Sequence, residues 1–173
     1  MRILVAGVGN VFLGDDGFGV AVARRLAEAD LPPGVEAGDF GIRGVHLAYE
    51  LTSGYDLAIL VDAAPRGRPP GTLYVLEPSP GETGETGETT GAFVDGHAMT
   101  PEAVITLARA LGHPGTGVLV VGCEPADTSP GMDLSLPVAG AVEPAAGLVL
   151  ELIEQRRRAD APVAAGHEEE TRC

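Results

Sequence analysis

The chain has 173 residues, 45% of them hydrophobic and 21% charged, with a formal charge of −14 at pH 7. All 11 basic residues are arginine, which excludes a phosphate loop ending in GK[ST], a kinase-type lysine, a Schiff-base lysine and a Ser-x-x-Lys nucleophile pair. The acidic balance argues against nucleic acid, whose binding needs basic groups to displace counterions from phosphates.

A chain of this length forms one domain and buries roughly 70% of its unfolded surface, enough for a core without disulfide or metal staples. Its two cysteines, Cys123 and Cys173, make neither a disulfide framework nor a metal knuckle. No run approaches the ~20 apolar residues of a bilayer span, and the opening apolar stretch is too short for a signal-peptide core. The expected setting is a reducing cytoplasm, with no membrane partner.

Residues 2–7 (RILVAG) read as a buried strand ended by glycines. Phe18, Val22 and Leu26 give residues 17–29 a helical period, which the Leu31-Pro32-Pro33-Gly34 segment stops. A second strand is predicted over residues 35–40 and a second helix over 45–51. The run LAILV at 57–61, closed by Asp62, is the clearest strand in the chain. The nine residues 63–71 hold no helix and are too few for a parallel crossover. The next strand, 72–76, is therefore expected antiparallel to the third, as an edge hairpin.

Three GET copies between Gly81 and Thr89 read as a low-complexity loop. A helix over 101–111 with Pro101 in its first turn, a strand over 118–122 and a helix over 138–158 follow. The alternation predicts a three-layer α/β sandwich, its five-stranded, mostly parallel sheet carrying one antiparallel edge strand and helices on both faces. Residues 1–158 form the domain and 159–173 an expected disordered acidic tail.

Ligands of an open α/β sheet bind beyond the carboxyl ends of its parallel strands. The first strand delivers Gly7 to Gly17 there, including Asp15 and Asp16, and the third delivers Asp62. The segment after the antiparallel strand must return to the same edge and carries Asp95-Gly96-His97 with it. Two carboxylates and an imidazole meeting there make a divalent-metal site of borderline softness. Taken singly, Asp15 or Asp16 fits a helix cap, Asp62 a turn residue and His97 a solvated loop histidine. His46 lies on the second helix, near the rim; His113 and His167 read as incidental.

A dinucleotide fingerprint is only partial. Gly7-x-Gly9 follows a strand and Asp39 mimics the ribose-binding acid, but Phe12 occupies the third glycine position, where it would block helix–strand packing. No G-x-S-x-G elbow exists, and Cys123 reads as buried core.

GVGNVFLGDDGFGV at 7–20, a strand ending Val61-Asp62-Ala63, and Asp95-Gly96-His97 together resemble the nickel–iron hydrogenase maturation proteases, over about residues 1–155. The resemblance implies a twisted five-stranded sheet between helices and a nickel-contacting triad of Asp16, Asp62 and His97. It implies an endopeptidase that removes a short C-terminal extension from the hydrogenase large-subunit precursor after nickel insertion. The nickel would arrive with that precursor rather than reside in the enzyme. Members often carry Glu where this chain has Asp16, and D-G-G-T in the recognition loop where it has Asp39-Phe40-Gly41-Ile42-Arg43-Gly44. Asn10, Gly41, Arg43 and Gly44 are the substrate-binding candidates, with Arg43 a specificity feature.

Which carboxylate ligates and which acts as base stays open. Besides a maturation endopeptidase working as a monomer, two readings remain: a non-proteolytic nickel or precursor chaperone, and a Rossmann-like nucleotide-binding enzyme.

Overall fold

A computed structural model describes residues 1–77, 101–112 and 117–161. In chain order these form β1 (Ile3–Val8), a 3₁₀ turn (Gly14–Gly17), α1 (Phe18–Ala27), β2 (Val35–Gly41), α2 (Gly44–Leu51), β3 (Leu57–Ala63), β4 (Leu73–Leu76), α3 (Pro101–Ala110), β5 (Gly117–Cys123) and α4 (Leu136–Asp160). The five strands form one sheet in the order β2-β1-β3-β5-β4, parallel except for β4.

The two-residue period of a strand decides how the layers are filled. Ile3, Val5, Leu57, Ile59, Val61, Leu119 and Val121 turn to one face, where α1 and α4 contribute Phe18, Val22, Leu26, Val149 and Ile153. Leu4, Ala6, Val8, Ala58, Leu60 and Val120 turn to the other, against Leu47 and Leu51 of α2 and Val104 and Ala108 of α3. Each fully buried aliphatic or aromatic side chain contributes about 1.5–3 kcal/mol, so both faces hold the sheet.

The expected fold class holds, and the element boundaries lie within two residues of expectation. The hairpin does not form: β5 lies between β3 and β4, and the antiparallel partner of β4 is β5. The intervening segment lacks backbone donors at Pro65, Pro69 and Pro70, so it arches rather than zips. It is tied to the carboxyl end of β5 instead. Ala64 N–H donates to the Cys123 carbonyl, Gly71 N–H to the Glu124 carbonyl and Glu124 N–H to the Thr72 carbonyl, each at 2.8 Å.

Helix α4 runs through Asp160, so Ala159 and Asp160 belong to it and not to the tail. The remaining tail residues 162–173 and the GET repeats lie outside the described residues. The same helix corrects the hydropathy expectation: by length and composition alone it is long and apolar enough to cross a membrane. Here Val138, Ala141, Ala145, Ala146, Val149 and Ile153 are buried against the core.

Candidate active site at the carboxyl edge of the sheet

The register of β1 against β3 pairs Gly7 with Val61, so the residues that follow both strands leave the sheet side by side. Helix α1 closes down on this point. A Cβ on Gly19 would lie 2.0 Å from the Val61 carbonyl oxygen and 2.3 Å from that of Val8. Only a residue without a side chain lets the helix seat across the ends of both strands.

Gly9 stands between the backbone of Asp16 and the side chain of Asp62. Its φ is +122°, a region hostile to side chains. A Cβ there would strike the Asp16 carbonyl oxygen at 1.8 Å and stand 3.6 Å from Asp62 Oδ1. Asp16 and Asp62 thus flank one glycine at the edge of the sheet. Both are half-buried. Asp16 Oδ2 accepts the Asn10 N–H at 2.7 Å, and among the described residues Asp16 Oδ1 takes no hydrogen bond. Asp62 Oδ1 accepts the Ala63 N–H at 2.8 Å.

Neither Asp15 nor Asp16 caps α1, whose N-cap is Gly17 with no side-chain hydrogen bond. Asp15 has a different task. Its carboxylate is fully buried and accepts Ala126 N–H (2.7 Å), Asp127 N–H (2.9 Å), Ser135 N–H (2.6 Å) and the Ser135 hydroxyl (2.9 Å). Burial raises its pKa, but the N–H groups of Asp127, Ser135 and Ala126 outweigh that and leave it below the ordinary carboxylate value. The 3₁₀ turn bearing Asp16 is thereby bolted to the segment between β5 and α4. Backbone bonds at 2.9 Å from Gly14 N–H to Gly131 and from Asp15 N–H to Asp127 reinforce the joint.

A family model described as HycI, hydrogenase maturation protease, matches residues 20–152. The chain belongs to the hydrogenase maturation protease family. It is 34% identical over 144 residues to the hydrogenase expression/formation protein HupD of Rhizobium leguminosarum, covering 82% of this chain and 68% of that one. The solved hydrogenase maturating endopeptidase HybD of Escherichia coli superposes with a TM-score of 0.71 at 28% identity, covering 93% of this chain and all of that one. A hydrogenase 2 maturation peptidase from a thaumarchaeote gives 0.66 at 33% identity over 89% of this chain and 99% of its own.

Among the site residues expected for a maturation protease, His97 lies outside the described residues. Among those described, no three His, Cys, Asp or Glu side chains cluster to hold a metal. Asn10 organises the turn: its N–H binds Asp16, its Oδ1 accepts the Phe12 N–H at 3.0 Å and its carbonyl accepts the Leu13 N–H at 3.0 Å. Gly41 lies against the same turn, its carbonyl accepting the Gly9 N–H at 3.1 Å. Gly44 begins α2 and is buried.

Arg43 is exposed, but its guanidinium folds back to donate to the carbonyls of Phe40 (3.1 Å) and Asp39. The Asp39 carboxylate, the ribose-acid mimic, is paired with Arg24 at 2.8 Å. Phe12 does not obstruct helix packing: the turn carries it to the surface, 62% exposed. His46 is exposed on α2.

Sequence reasoning missed Glu124, which is nearly buried where the 64–72 arch crosses β5. It accepts Arg66 N–H (2.7 Å), Gly67 N–H (3.1 Å) and the Tyr74 hydroxyl. The Tyr74 hydrogen bond, followed by those backbone groups, holds its carboxyl below the usual range, while burial and Glu124 push Tyr74 up to about 12. A lone acid directly after an apolar strand was the available signal.

Proposed function

We propose that this maturation protease is the endopeptidase that removes the C-terminal extension of a nickel–iron hydrogenase large-subunit precursor once nickel has been inserted. The observation that carries the reading is that the Asp16 backbone and the Asp62 carboxylate both come against Gly9, beyond the carboxyl ends of the paired strands β1 and β3. The expected donors Asp16, Asp62 and His97 are dispersed along the chain, without the compact H-E-x-x-H signature of a tightly held ion. They suit an ion already held by the precursor's thiolates, to which they add oxygen and nitrogen ligands. Nickel then belongs to the substrate, and an unloaded precursor lacks the element that docks.

Peptide hydrolysis needs water oxygen to attack the scissile carbonyl carbon, the C–N bond to break and the water's proton to reach the departing amine. Asp16 and Asp62 divide two tasks, contacting the nickel and orienting the water, with His97 as third ligand or proton carrier. The enzyme acts in the cytoplasm as a monomer, a setting in keeping with the unpaired, buried Cys123.

The test incubates purified protein with nickel-loaded and nickel-free precursor and weighs the products by mass spectrometry. Wild-type protein shortens only the loaded precursor. Asp16→Asn, Asp62→Asn and His97→Ala leave it full length while keeping native circular dichroism. Cleavage of the nickel-free form removes nickel from the reading, and full cleavage by all three variants removes the triad. Binding without any cleavage by wild type identifies a chaperone instead.

A further inference from the structure

We propose that Arg66 and Arg68, on the arch between β3 and β4, bind acidic side chains of the precursor polypeptide within about four residues of the scissile bond. The proposal rests on the endopeptidase reading and adds a specificity element on the other flank of the carboxylates from the 39–44 loop. The strand order β2-β1-β3-β5-β4 sets four features in a row along the carboxyl edge of the sheet. The 39–44 loop ends β2, Asp16 follows β1, Asp62 lies at the end of β3, and the arch crosses the end of β5 to enter β4. A polypeptide laid across the strand ends therefore meets the loop on one side of Asp16 and Asp62 and the arch on the other.

Hydrogen bonds hold the arch in that place. Asp62 pairs with Gly122 in the register of β3 and β5, and Glu124, two residues on, accepts the Arg66 N–H at 2.7 Å and the Gly67 N–H at 3.1 Å. Arg66 follows Asp62 by four residues, so its backbone lies no more than about 13–14 Å away. Ala64 and Gly71 tie the two feet of the arch to Cys123 and Glu124, and Pro65, Pro69 and Pro70 fix φ between them. At the apex Gly67 has φ of +73°, and among the described residues nothing lies within 4 Å of a Cβ added to it. The two arginines beside it are exposed. Their backbone is ordered before any partner arrives, which lowers the entropic cost of binding.

Charge identifies the occupant. The chain carries a formal charge of −14, and Asp127 and Asp133 stand exposed on the segment before α4. The other arginines near this edge are engaged: Arg24 with the Asp39 carboxylate, and Arg43 with the carbonyls of Phe40 and Asp39. Among the described residues, neither Arg66 nor Arg68 forms an ion pair. No acidic residue occurs between positions 63 and 72. A guanidinium presents a planar fork of donors that matches a carboxylate, so two of them without partners suit acidic side chains. The chain as a whole repels an acidic polypeptide, and the arch is where such a polypeptide gains attraction beside Asp62.

The experiment measures steady-state cleavage of nickel-loaded precursor by wild type, Arg66→Ala/Arg68→Ala, Arg66→Lys/Arg68→Lys and Arg157→Ala/Arg158→Ala. Thermal melting confirms that each is folded. The last pair removes the same charge at the opposite edge, where Arg157 donates to the Pro33 carbonyl ahead of β2. A second precursor has every Asp and Glu within about four residues of the scissile bond replaced by Asn and Gln. At low ionic strength Arg66→Ala/Arg68→Ala raises KM for the unaltered precursor by about fivefold or more, with kcat within about twofold of wild type. High salt narrows that gap. The lysine pair keeps KM within about threefold, since it keeps the charge, and Arg157→Ala/Arg158→Ala keeps the wild-type value. The amide precursor raises KM for wild type by a similar factor and adds nothing for Arg66→Ala/Arg68→Ala. A wild-type KM in Arg66→Ala/Arg68→Ala, or an equal loss in Arg157→Ala/Arg158→Ala, overturns the arch while leaving the endopeptidase reading intact. So does a loss in Arg66→Ala/Arg68→Ala that is undiminished on the amide precursor, because the arginines then do not act on these side chains. A wild-type protein that neither binds nor cleaves precursor overturns both.

Discussion

The carboxylate of Asp15 accepts both the backbone N–H of Ser135 at 2.6 Å and its hydroxyl at 2.9 Å, joining the turn after the first strand to the residue before the last helix. Buried donors left without an acceptor cost about 1–3 kcal/mol each. Asp15→Asn, which turns an amide NH₂ or a weaker oxygen toward these groups, is expected to destabilise the protein by about 2–4 kcal/mol in urea denaturation.

Acid should reveal the same group. The folded pKa of Asp15 lies below its ordinary value of 3.8, so its stabilisation is complete above that value and is lost as pH falls through the lower, folded one. Unfolding midpoints measured from neutral pH down to about pH 3 should drop steeply at the acid end for wild type. The drop should be shallower for Asp15→Asn, which has no such proton to take up. Equal slopes would show that other carboxylates carry the acid response.

Gly19→Ala places a Cβ 2.0 Å from one carbonyl oxygen and 2.3 Å from another. Backbone on both sides cannot yield cheaply, and overpacking of this kind costs about 1–3 kcal/mol or more. Gly147 in α4 supplies the contrast, with nothing within 4 Å of its added Cβ. Gly147→Ala is expected to be neutral or stabilising by up to about 1 kcal/mol, from helix propensity and a stiffer unfolded chain. Paired chemical-denaturation curves check both signs.

The arch over β5 is tested through Tyr74. Its hydroxyl donates to Glu124, and burial together with that carboxylate raises its pKa to about 12. In Glu124→Gln the negative neighbour is gone, so the phenol should titrate lower, toward its ordinary 10.0 but short of it because burial persists. Ultraviolet titration of tyrosinate reads the shift directly. An unmoved curve would mean that burial alone sets the value.

Much of this architecture is legible in the chain because the strands are apolar runs with abrupt ends. LAILV at 57–61 and ILVAGV at 3–8 have no other stable home than a sheet covered on both faces, and Phe18, Val22 and Leu26 leave α1 one face to bury. The pairing of β4 was not legible, since residues 64–72 are bridged by backbone bonds to β5, a strand that comes later in the sequence. The difference between Asp15 and Asp16 was also hidden. They are adjacent and chemically identical, and only a segment more than a hundred positions away decides that Asp15 is sequestered while Asp16 stays half-buried and binds the Asn10 N–H. The juxtaposition of Asp16 and Asp62 was readable because both follow parallel neighbouring strands.

The length of the Asp16 side chain gives a further test. Here Asp16 Oδ2 takes the Asn10 N–H at 2.7 Å, with the second oxygen accepting nothing among the described residues. Asp16→Glu is expected to retain cleavage of nickel-loaded precursor within about tenfold of wild type. Asp16→Asn, which keeps the shape but removes the charge, should lose at least about a hundredfold. Similar rates for the two variants would show that charge at this position is not required.

The bond from Asp15 to Ser135 also sets an order of events during synthesis. A nascent chain that ends before Gly117 already contains both rim carboxylates, yet it lacks the strand that fills the gap between β3 and β4 and the N–H groups that Asp15 must meet. Translation delivers the N-terminal part first, so the turn bearing Asp16 gains its anchor only after Ser135 has left the ribosome. The 3₁₀ turn therefore takes its final form only once residues 117–135 have been made, although its own residues precede Ser135 by more than a hundred positions.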